Sequence, residues 1–335
     1  MGWLIVPGRV HSVRLMSGEA RHTDPVLPAV RMHLHKPDAP CMATVVRNEV
    51  CTAGRKAAGF IRHLEFDVSG SDLVGACLPG QAIGVMPPGV DADGRPHKLR
   101  LYSVCSPSTG EHGDPARIAT TVKRTIDEHA DTHRLVLGVA SNYLCDAQPG
   151  DRVALTGPVG KKFLVPMDAG AHDYLFVAAG TGVAPFRGMV QDLVRSGVGS
   201  RIALVMGAPY RTDLIYDDLF SRVAREHPNF RYLTALSREP QDGGGPPMYV
   251  QDRIAAEHEW MVPLLESDRT VVYVCGIAGM EVGVFQALAR LLPGSALDGY
   301  LRVAEPVRGE FARWTRAMVH HEVTPTRRVM LEVYG

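Results

Sequence analysis

The first half of the chain alternates short apolar runs with turns. From about residue 42 the runs are ATVVRNEV, IRHLEFDV, AIGVMPPG, LRLYSVC, RIATTVK and RVALTGPVG. Short strands at this spacing, separated by turn sequences such as Gly94-Arg95-Pro96, are typical of an antiparallel barrel. We therefore predict a β-barrel domain over residues 41–166.

After Pro166 the apolar runs become nearly continuous. They read DYLFVAAG, RIALVMG, RYLTALS, TVVYVCG and RVMLEV, and helical patterns follow the first four, over 184–196, 213–226, 249–258 and 278–292. This alternation predicts a parallel sheet covered on both faces, an α/β domain over residues 167–335. Ligands of such sheets lie at the carboxyl ends of the strands. Those ends read Gly180-Thr181-Gly182, Gly207-Ala208-Pro209, Ser237-Arg238, Cys275-Gly276 and Glu332-Val333-Tyr334.

Residues 1–40 are rich in Pro, Arg and His and have no clear period. We interpret them as an N-terminal extension that is either partly disordered or packs late. The apolar stretch after Gly2 has only five residues, whereas a secretory signal needs about 7–15. The start is neither clearly Ser-rich nor clearly acid-poor, as a plastid transit peptide would be, and we expect a cytoplasmic protein.

Composition narrows the class of protein. A chain of 335 residues, 45% hydrophobic and 21% charged, suits a soluble globular protein of two domains. A formal net charge of zero argues against a general nucleic-acid binder. No apolar run approaches the roughly 20 residues that cross a bilayer. The six cysteines form no C-x-x-C pair and no zinc or iron–sulfur spacing, so we predict no metal site.

Three segments suggest chemistry. In GTGVAPFR (180–187), two glycines and a helix N-terminus would suit a pyrophosphate, although a plain strand-to-helix turn explains the pattern too. Arg100-Leu101-Tyr102-Ser103 offers a cation, an aromatic ring and a hydroxyl, or is simply an amphipathic strand. The segment 138–144 begins a candidate helix in which Ser141 either helps to bind an anion or serves as the N-cap.

Together, in this order, these segments resemble the plant-type ferredoxin–NADP reductase family. The resemblance covers about residues 42 to 334. The matching stretches are HKLRLYS (97–103), TVKR (121–124), GVASNYLCD (138–146), TGPVGK (156–161), GTGVAPFR (180–187), SRE (237–239) with MYVQ (248–251), YVCGIAGME (273–281) and LEVY (331–334). It implies an antiparallel FAD-binding β-barrel followed by a parallel-sheet NADP-binding α/β domain.

The resemblance also implies where the cofactors bind. The implied FAD residues are Arg100, Leu101, Tyr102, Ser103, Thr121, Val122, Lys123, Val139, Ala140, Ser141 and Thr181. The implied NADP(H) residues are Ser103, Lys123, Thr181, Ala208, Pro209, Ser237, Arg238, Tyr249, Gln251, Gly276, Ile277 and Glu332. A guanidinium with two hydroxyls, as in Ser237, Arg238 and Tyr249, suits the 2′-phosphate.

The catalytic residues implied by the resemblance are Ser103, Cys275, Glu332 and Tyr334. Ser103 and Cys275 would flank the point of hydride transfer, Glu332 would relay a proton, and Tyr334 would stack on the flavin. The implied function is a flavoprotein reductase that exchanges electrons between NADPH and ferredoxin or flavodoxin. The reductase component of a multicomponent oxygenase is an alternative, and so is a non-catalytic flavoprotein-like scaffold, although the latter would not need Ser103, Cys275 and Glu332 together.

Four departures from the family pattern stand out. Pro247 replaces a basic residue of the 2′-phosphate site, and Asp127 stands where an aromatic residue would cover the flavin adenine. Ala92 and Asp93 replace basic or neutral residues on the surface that binds ferredoxin in the family. The basic residues that remain there are Arg95, Lys98, Lys161 and Lys162. Gly335 follows Tyr334, so the aromatic residue is not the last one.

Overall fold

The computed structural model describes residues 24–52 and 57–334. Of the expected N-terminal extension, residues 1–23 therefore lie outside the described residues. Near residues 33–35 the chain runs along the first domain, where His33 N donates to Pro158 O at 2.9 Å and His35 N to Gly157 O at 3.1 Å, whereas Val26 O accepts from Met167 N at 2.9 Å.

Six antiparallel strands form the first sheet, in the order β4-β3-β8-β1-β2-β5. They are β1 (Cys41–Val50), β2 (Ile61–Asp67), β3 (Ala82–Met86), β4 (Arg100–Ser103), β5 (Arg117–Lys123) and β8 (Arg152–Val159). A bridge between Val104 and Thr120 joins the end of β4 to β5, so the two outer strands meet. Alternate side chains such as Leu64, Phe66 and Ile83 fill the interior. The antiparallel barrel expected from the sequence is confirmed.

A small hairpin and a helix follow β5. The hairpin consists of β6 (Ile126–Glu128) and β7 (Leu135–Leu137), and the helix is α1 (Val139–Asp146). The sequence pattern indicated the helix but not the hairpin, because all six hairpin residues are exposed and show no inward-facing alternation.

Five parallel strands form the second sheet, in the order β11-β10-β9-β12-β15. They are β9 (Asp173–Ala179), β10 (Ile202–Ala208), β11 (Phe230–Leu236), β12 (Thr270–Ile277) and β15 (Val329–Tyr334). Its helices are α2 (Ala184–Arg195), α3 (Asp217–Glu226), α4 (Val250–Ala256), α5 (His258–Leu265), α6 (Met280–Leu291) and α7 (Gly294–Asp298). One face of the sheet packs on Phe186 and Phe220, and the other packs on Ile254 and Phe285. The parallel α/β architecture is likewise confirmed.

The remaining differences from the predicted elements are local. The helix predicted over 213–226 begins at Asp217, after a 3-10 turn at Arg211–Asp213. The pattern over 249–258 becomes α4 and then α5, which continues to Leu265. Between α7 and β15 a short hairpin, β13 (Leu301–Val303) with β14 (Val323–Pro325), was not predicted, since three-residue strands are too short to show a period.

The two sheets are separated along the chain by a connection without strands. The first ends at Val159 and the second begins at Asp173, and we keep the boundary between residues 166 and 167 as a proposal. Among the helices in the described part of the chain, none is long and apolar enough to cross a membrane.

Candidate active site

Three strands of the parallel sheet end side by side at the candidate site. The register pairs Cys275 with Glu332 and Ile277 with Tyr334, at the ends of β12 and β15. Thr181, which follows β9, lies 2.6 Å from the Tyr334 hydroxyl through its Oγ1. The fold therefore brings together four expected site residues, Thr181, Cys275, Glu332 and Tyr334, from three separate parts of the sequence.

The glycine turn after β9 fits tightly against the neighbouring strand. A Cβ added to Gly182 would lie 2.1 Å from the Cys275 carbonyl oxygen. Gly180 has a φ of 55°, a left-handed conformation that glycine adopts without strain. Both glycines are thus explained by the backbone itself, and the turn leads directly into α2, whose first turn contains Pro185.

Burial controls the acid–base chemistry at this edge. Burial raises the pKa of Glu332 to about 7, and its Oε2 atom is buried without a hydrogen-bond partner among the described residues. Burial, assisted by the nearby Glu332 charge, also raises the pKa of Cys275 well above its usual value. At neutral pH the Cys275 side chain is therefore a thiol, whereas Glu332 can take up or release a proton.

The barrel approaches this edge through the continuation of β4. Ser103 ends β4, and its carbonyl oxygen accepts a hydrogen bond from Thr120 Oγ1 at 2.8 Å. Two residues further on, Cys105 packs in a buried cluster with Ala184 of α2. No hydrogen bond in the described residues joins Ser103 to Cys275 or Glu332; the contact with α2 is made by Cys105, whose carbonyl oxygen also accepts from Arg187 Nη1 at 3.0 Å.

The expected flavin residues divide into two sets. Arg100, Leu101, Lys123 and Val139 are exposed. Ala140 and Val122 are buried, the latter in the barrel core, and Thr121 is buried with its hydroxyl 2.7 Å from the hydroxyl of Tyr216. Tyr102 is half-buried and packs against the barrel core. Side chains of the first set can touch a ligand, whereas Thr121 and Val122 have only their backbone to offer.

Ser141 does not cap α1. The N-cap residue is Gly138, without a side-chain cap, whereas Ser141 Oγ accepts from Thr125 N and donates to the Gly138 carbonyl, both at 3.1 Å. The N-cap interpretation is therefore wrong, and the first N–H groups of α1 remain available to an anion because a helix supplies no partners for them.

These residues fit a flavin dinucleotide. The uncapped start of α1 and the exposed Arg100 and Lys123 can bind a pyrophosphate. Among the described residues, the Arg100 guanidinium donates a hydrogen bond only to the neighbouring Leu99 carbonyl, at 3.2 Å. The exposed apolar Leu101 and Val139 can cover rings. Asp127 is exposed on β6, with no aromatic ring at that position.

A second group of expected residues lies at the ends of β10 and β11. Ser237 N donates to Ala208 O at 3.0 Å, and Arg238 N donates to Pro209 O at 2.9 Å. Met248 N donates to Leu236 O at 2.8 Å. The fold thus brings Ser237 and Arg238 beside the segment that carries Tyr249, which is 62% exposed and free to stack on a ring.

The other expected nucleotide residues border this edge. Ile277, the last residue of β12, is exposed and follows the buried Gly276. Gln251, on the first turn of α4, lies against Gly283 of α6, where an added Cβ would be 3.0 Å from Gln251 Cδ. Pro247 is exposed and adds no charge.

Sequence reasoning missed a second guanidinium at the ends of β10 and β11, that of Arg211. Arg211 follows β10, and its guanidinium donates to Asp242 while its backbone N–H donates to Glu239. The residue stands three positions beyond a strand end, which is the signal that could have identified it.

Comparisons with known proteins agree with this geometry. Residues 176–286 match the family model of the oxidoreductase NAD-binding domain. A ferredoxin–NADP reductase of Spirulina sp is 38% identical over 269 residues, which cover 78% of this chain and 89% of that protein. A chloroplastic ferredoxin–NADP reductase of Mesembryanthemum crystallinum is 35% identical over 315 residues, 88% of this chain and 83% of the relative.

The fold recurs in solved structures. Ferredoxin-NADP+ reductase from Plasmodium falciparum superposes with a TM-score of 0.65 over 90% of this chain and 99% of that chain, at 18% identity. A mutant of that enzyme in complex with 2′P-AMP superposes with a TM-score of 0.66 at the same identity and coverage. At this identity the likeness concerns the fold alone.

Proposed function

The chain belongs to the ferredoxin–NADP reductase family, and from that premise we propose that it is a flavoprotein that transfers electrons between NADP(H) and a one-electron protein carrier. Its cofactors are FAD and NADP(H), and the carrier is ferredoxin or flavodoxin. In the direction of carrier reduction, one NADPH and two oxidised carriers give NADP+, two reduced carriers and one proton. Nothing in the described residues or in the relatives favours the oxygenase alternative.

The observation that carries the proposal is the meeting of three strand ends beneath the barrel. Thr181, Cys275, Glu332 and Tyr334 converge there, and the continuation of β4 packs on α2 beside them. FAD, once bound, accepts a hydride and passes on electrons singly. The chain itself must therefore hold two dinucleotides face to face and exclude water, which this convergence supports.

Each group of residues then has an assigned task. Arg100, Lys123 and the start of α1 hold the FAD pyrophosphate, and Leu101, Tyr102 and Val139 contact its rings. Tyr334, whose hydroxyl lies 2.6 Å from Thr181 Oγ1, would cover the flavin and would give way to nicotinamide. Ser103 and Cys275 border the point of transfer, and Glu332 holds or releases a proton.

Preference for NADPH rests on Arg238, Ser237 and Tyr249. Arg238 is exposed, and its guanidinium has no ion-pair partner within the described residues. A free guanidinium beside two hydroxyls suits a dianionic 2′-phosphate. Gln251, Ala208, Pro209, Gly276 and Ile277 line the rest of the nucleotide.

For the carrier we assign the exposed basic residues Arg95, Lys98, Lys161 and Lys162 on the barrel. We propose a cytoplasmic location for the protein, whereas the names of plant relatives place those proteins in chloroplasts. Cell fractionation with an antibody tests that expectation.

The test of the proposed function starts with the visible spectrum of the purified protein. We expect a flavin spectrum, and reduction of ferricyanide and of ferredoxin with NADPH, at a much lower rate with NADH. A colourless protein that takes up no FAD would contradict the whole proposal. Equal rates with both nucleotides would contradict only the assignment of Arg238, Ser237 and Tyr249.

A further inference from the structure

A cavity of about 440 Å³ lies against β15, an edge strand of the parallel sheet. Its polar lining comes from α6, from β15 and from the stretch between β13 and β14. The lining residues are Glu281, Arg316, Val319, His320, Leu331, Glu332 and Val333. The cavity thus reaches the active-site carboxyl group from the side, away from the glycine turn.

Glu332 is the connection between the site and the cavity. Its Oε2 atom is buried and lacks a hydrogen-bond partner among the described residues, whereas the side chain as a whole is half-buried and lines the cavity. A cavity of this size, bordered by Glu281, Arg316 and His320, has room for water molecules, each of which takes up about 30 Å³ in the liquid. Water in the cavity would contact the half-buried Glu332 side chain and give its proton a path to solvent.

The reaction requires such a path. NADPH brings a hydride, but a one-electron carrier takes only electrons, so one proton per NADPH must leave the protein. This requirement rests on the proposed function. Glu332 is a carboxyl group that the strand register places beside Cys275 at the converging strand ends, and its proton has to reach bulk solvent before the next cycle.

The titratable groups facing Glu332 come from every neighbouring element. Cys275 on β12 and Tyr334 on β15 both have a pKa raised by burial, so neither exchanges protons near neutrality. Glu281 on α6 accepts a hydrogen bond from Gly279 N at 2.7 Å and lies 3.6 Å from Arg316 Nε. His320 is exposed at the cavity, and histidine is the side chain that ordinarily titrates near neutral pH.

The backbone holds His320 in place. Its φ is 70°, in the left-handed region that costs a non-glycine residue free energy, and its N–H donates to Val323 O at 3.1 Å. The bond to β14 fixes the turn that presents the imidazole to the cavity.

We propose that His320 exchanges the proton of Glu332 with solvent through water in this cavity. The Glu332 O–H gives its proton to a cavity water, which passes a proton to a ring nitrogen of His320, and the imidazolium releases it to bulk water. Glu332 remains as a carboxylate that can accept the next proton. His320 acts through Glu332 and touches neither cofactor.

The test replaces His320 by Asn, which tolerates a left-handed backbone and cannot titrate. Holoenzyme is mixed with NADPH and ferricyanide in weak buffer, and proton release is followed with a pH indicator in a stopped-flow instrument. Positioned acid–base groups contribute about 10²–10⁴-fold, and water replaces part of that, so we expect release at least about tenfold slower. Added imidazole should restore the rate, and the solvent isotope effect should rise.

The matched control is His321→Asn, which removes an exposed imidazole at the next position, outside the cavity lining. It should leave proton release unchanged. Wild-type release in His320→Asn, or a slow release that imidazole does not rescue, would overturn the proposal. Failure of the proposed function is distinguishable, because the wild-type protein itself would then lack flavin or NADPH oxidation.

Discussion

Ser103 contributes a hydroxyl at the end of β4, where its carbonyl oxygen is already fixed by Thr120 Oγ1 at 2.8 Å. Replacing Ser103 by Val removes the hydroxyl, and replacing it by Thr keeps the hydroxyl at nearly the same volume. We expect hydride transfer about 10²-fold slower in the Val variant, since misplaced reactants cost about that much. Stopped-flow reduction of the flavin by NADPH measures it; equal rates in both variants would contradict the assignment.

Arg238 should select the nucleotide. Loss of charge-assisted hydrogen bonds to the 2′-phosphate costs roughly 1.5–3 kcal/mol, about 10- to 100-fold in affinity. We expect Arg238→Ala to raise the KM for NADPH by that factor and to leave the KM for NADH nearly unchanged. Arg302→Ala, which removes an exposed guanidinium from β13, is the control. A parallel rise in both KM values would contradict the role.

Glu332 should make stability depend on pH. Its pKa is raised from 4.5 to about 7 in the folded state, so the folded protein holds a proton that the unfolded chain has lost in that window. Its contribution is therefore complete below pH 4.5 and lost as the pH rises through 7. The Glu332→Gln variant lacks this dependence. Its Tm relative to wild type, both without flavin, should rise between pH 5 and pH 8; a constant difference would contradict the raised pKa.

At the level of single residues, sequence reasoning identified most of the positions that converge. Thr181, Cys275, Glu332 and Tyr334 follow strands, and parallel strand ends share one edge, so their convergence is foreseeable. The direction of a side chain is not. The hydroxyls of Thr121 and Ser141 bond within the protein, and His320 reaches the cavity through a left-handed turn that no period reveals.

Among the elements, the turn between β9 and α2 leaves no room for an added side chain. A Cβ on Gly182 would lie 2.1 Å from a backbone oxygen and 2.5 Å from its carbon, which cannot move without separating β9 from β12. We expect Gly182→Ala to cost at least about 3 kcal/mol, the upper end of ordinary overpacking. Urea unfolding measures it, and Gly199→Ala is the control because nothing lies within 4 Å of its added Cβ. Equal stabilities would contradict the tight fit.

Element prediction succeeded where burial imposed a period. The three central parallel strands, β9, β10 and β12, are buried on both faces and read as continuous apolar runs, so they follow from the sequence. The β6–β7 and β13–β14 hairpins have three-residue strands, of which β6 and β7 are fully exposed. Their positions depend on turns and on tertiary contacts.

For the whole molecule, a buried network joins the barrel to the α/β domain. Arg187 of α2 pairs with Glu111 of the barrel through two bonds, of 2.5 and 3.0 Å. The Tyr216 hydroxyl lies 2.8 Å from His63 Nδ1 and 2.7 Å from Thr121 Oγ1, both in barrel strands. These contacts join residues far apart in the sequence, and no local pattern predicts them.

Breaking the ion pair should be costly. Arg187→Met leaves the Glu111 carboxylate, 2% exposed, without its counter-charge, and loss of one partner of a buried pair costs about 3–5 kcal/mol. Urea unfolding followed by far-UV circular dichroism should show that loss. The double variant Arg187→Met with Glu111→Gln should recover part of it, because no charge remains buried. A single variant as stable as wild type would contradict the structural role.

Helix α2 begins at the glycine turn and carries Arg187 within its first turn. The helix that follows the glycine turn is therefore also the helix that contacts the barrel, through the Arg187–Glu111 ion pair. Chimaeras that combine the barrel of one reductase with the α/β domain of another must therefore keep complementary residues where α2 contacts the barrel. Glu111 and Arg187 should be exchanged together. In mismatched chimaeras we expect both domains to fold, but their bound cofactors would not be placed in contact.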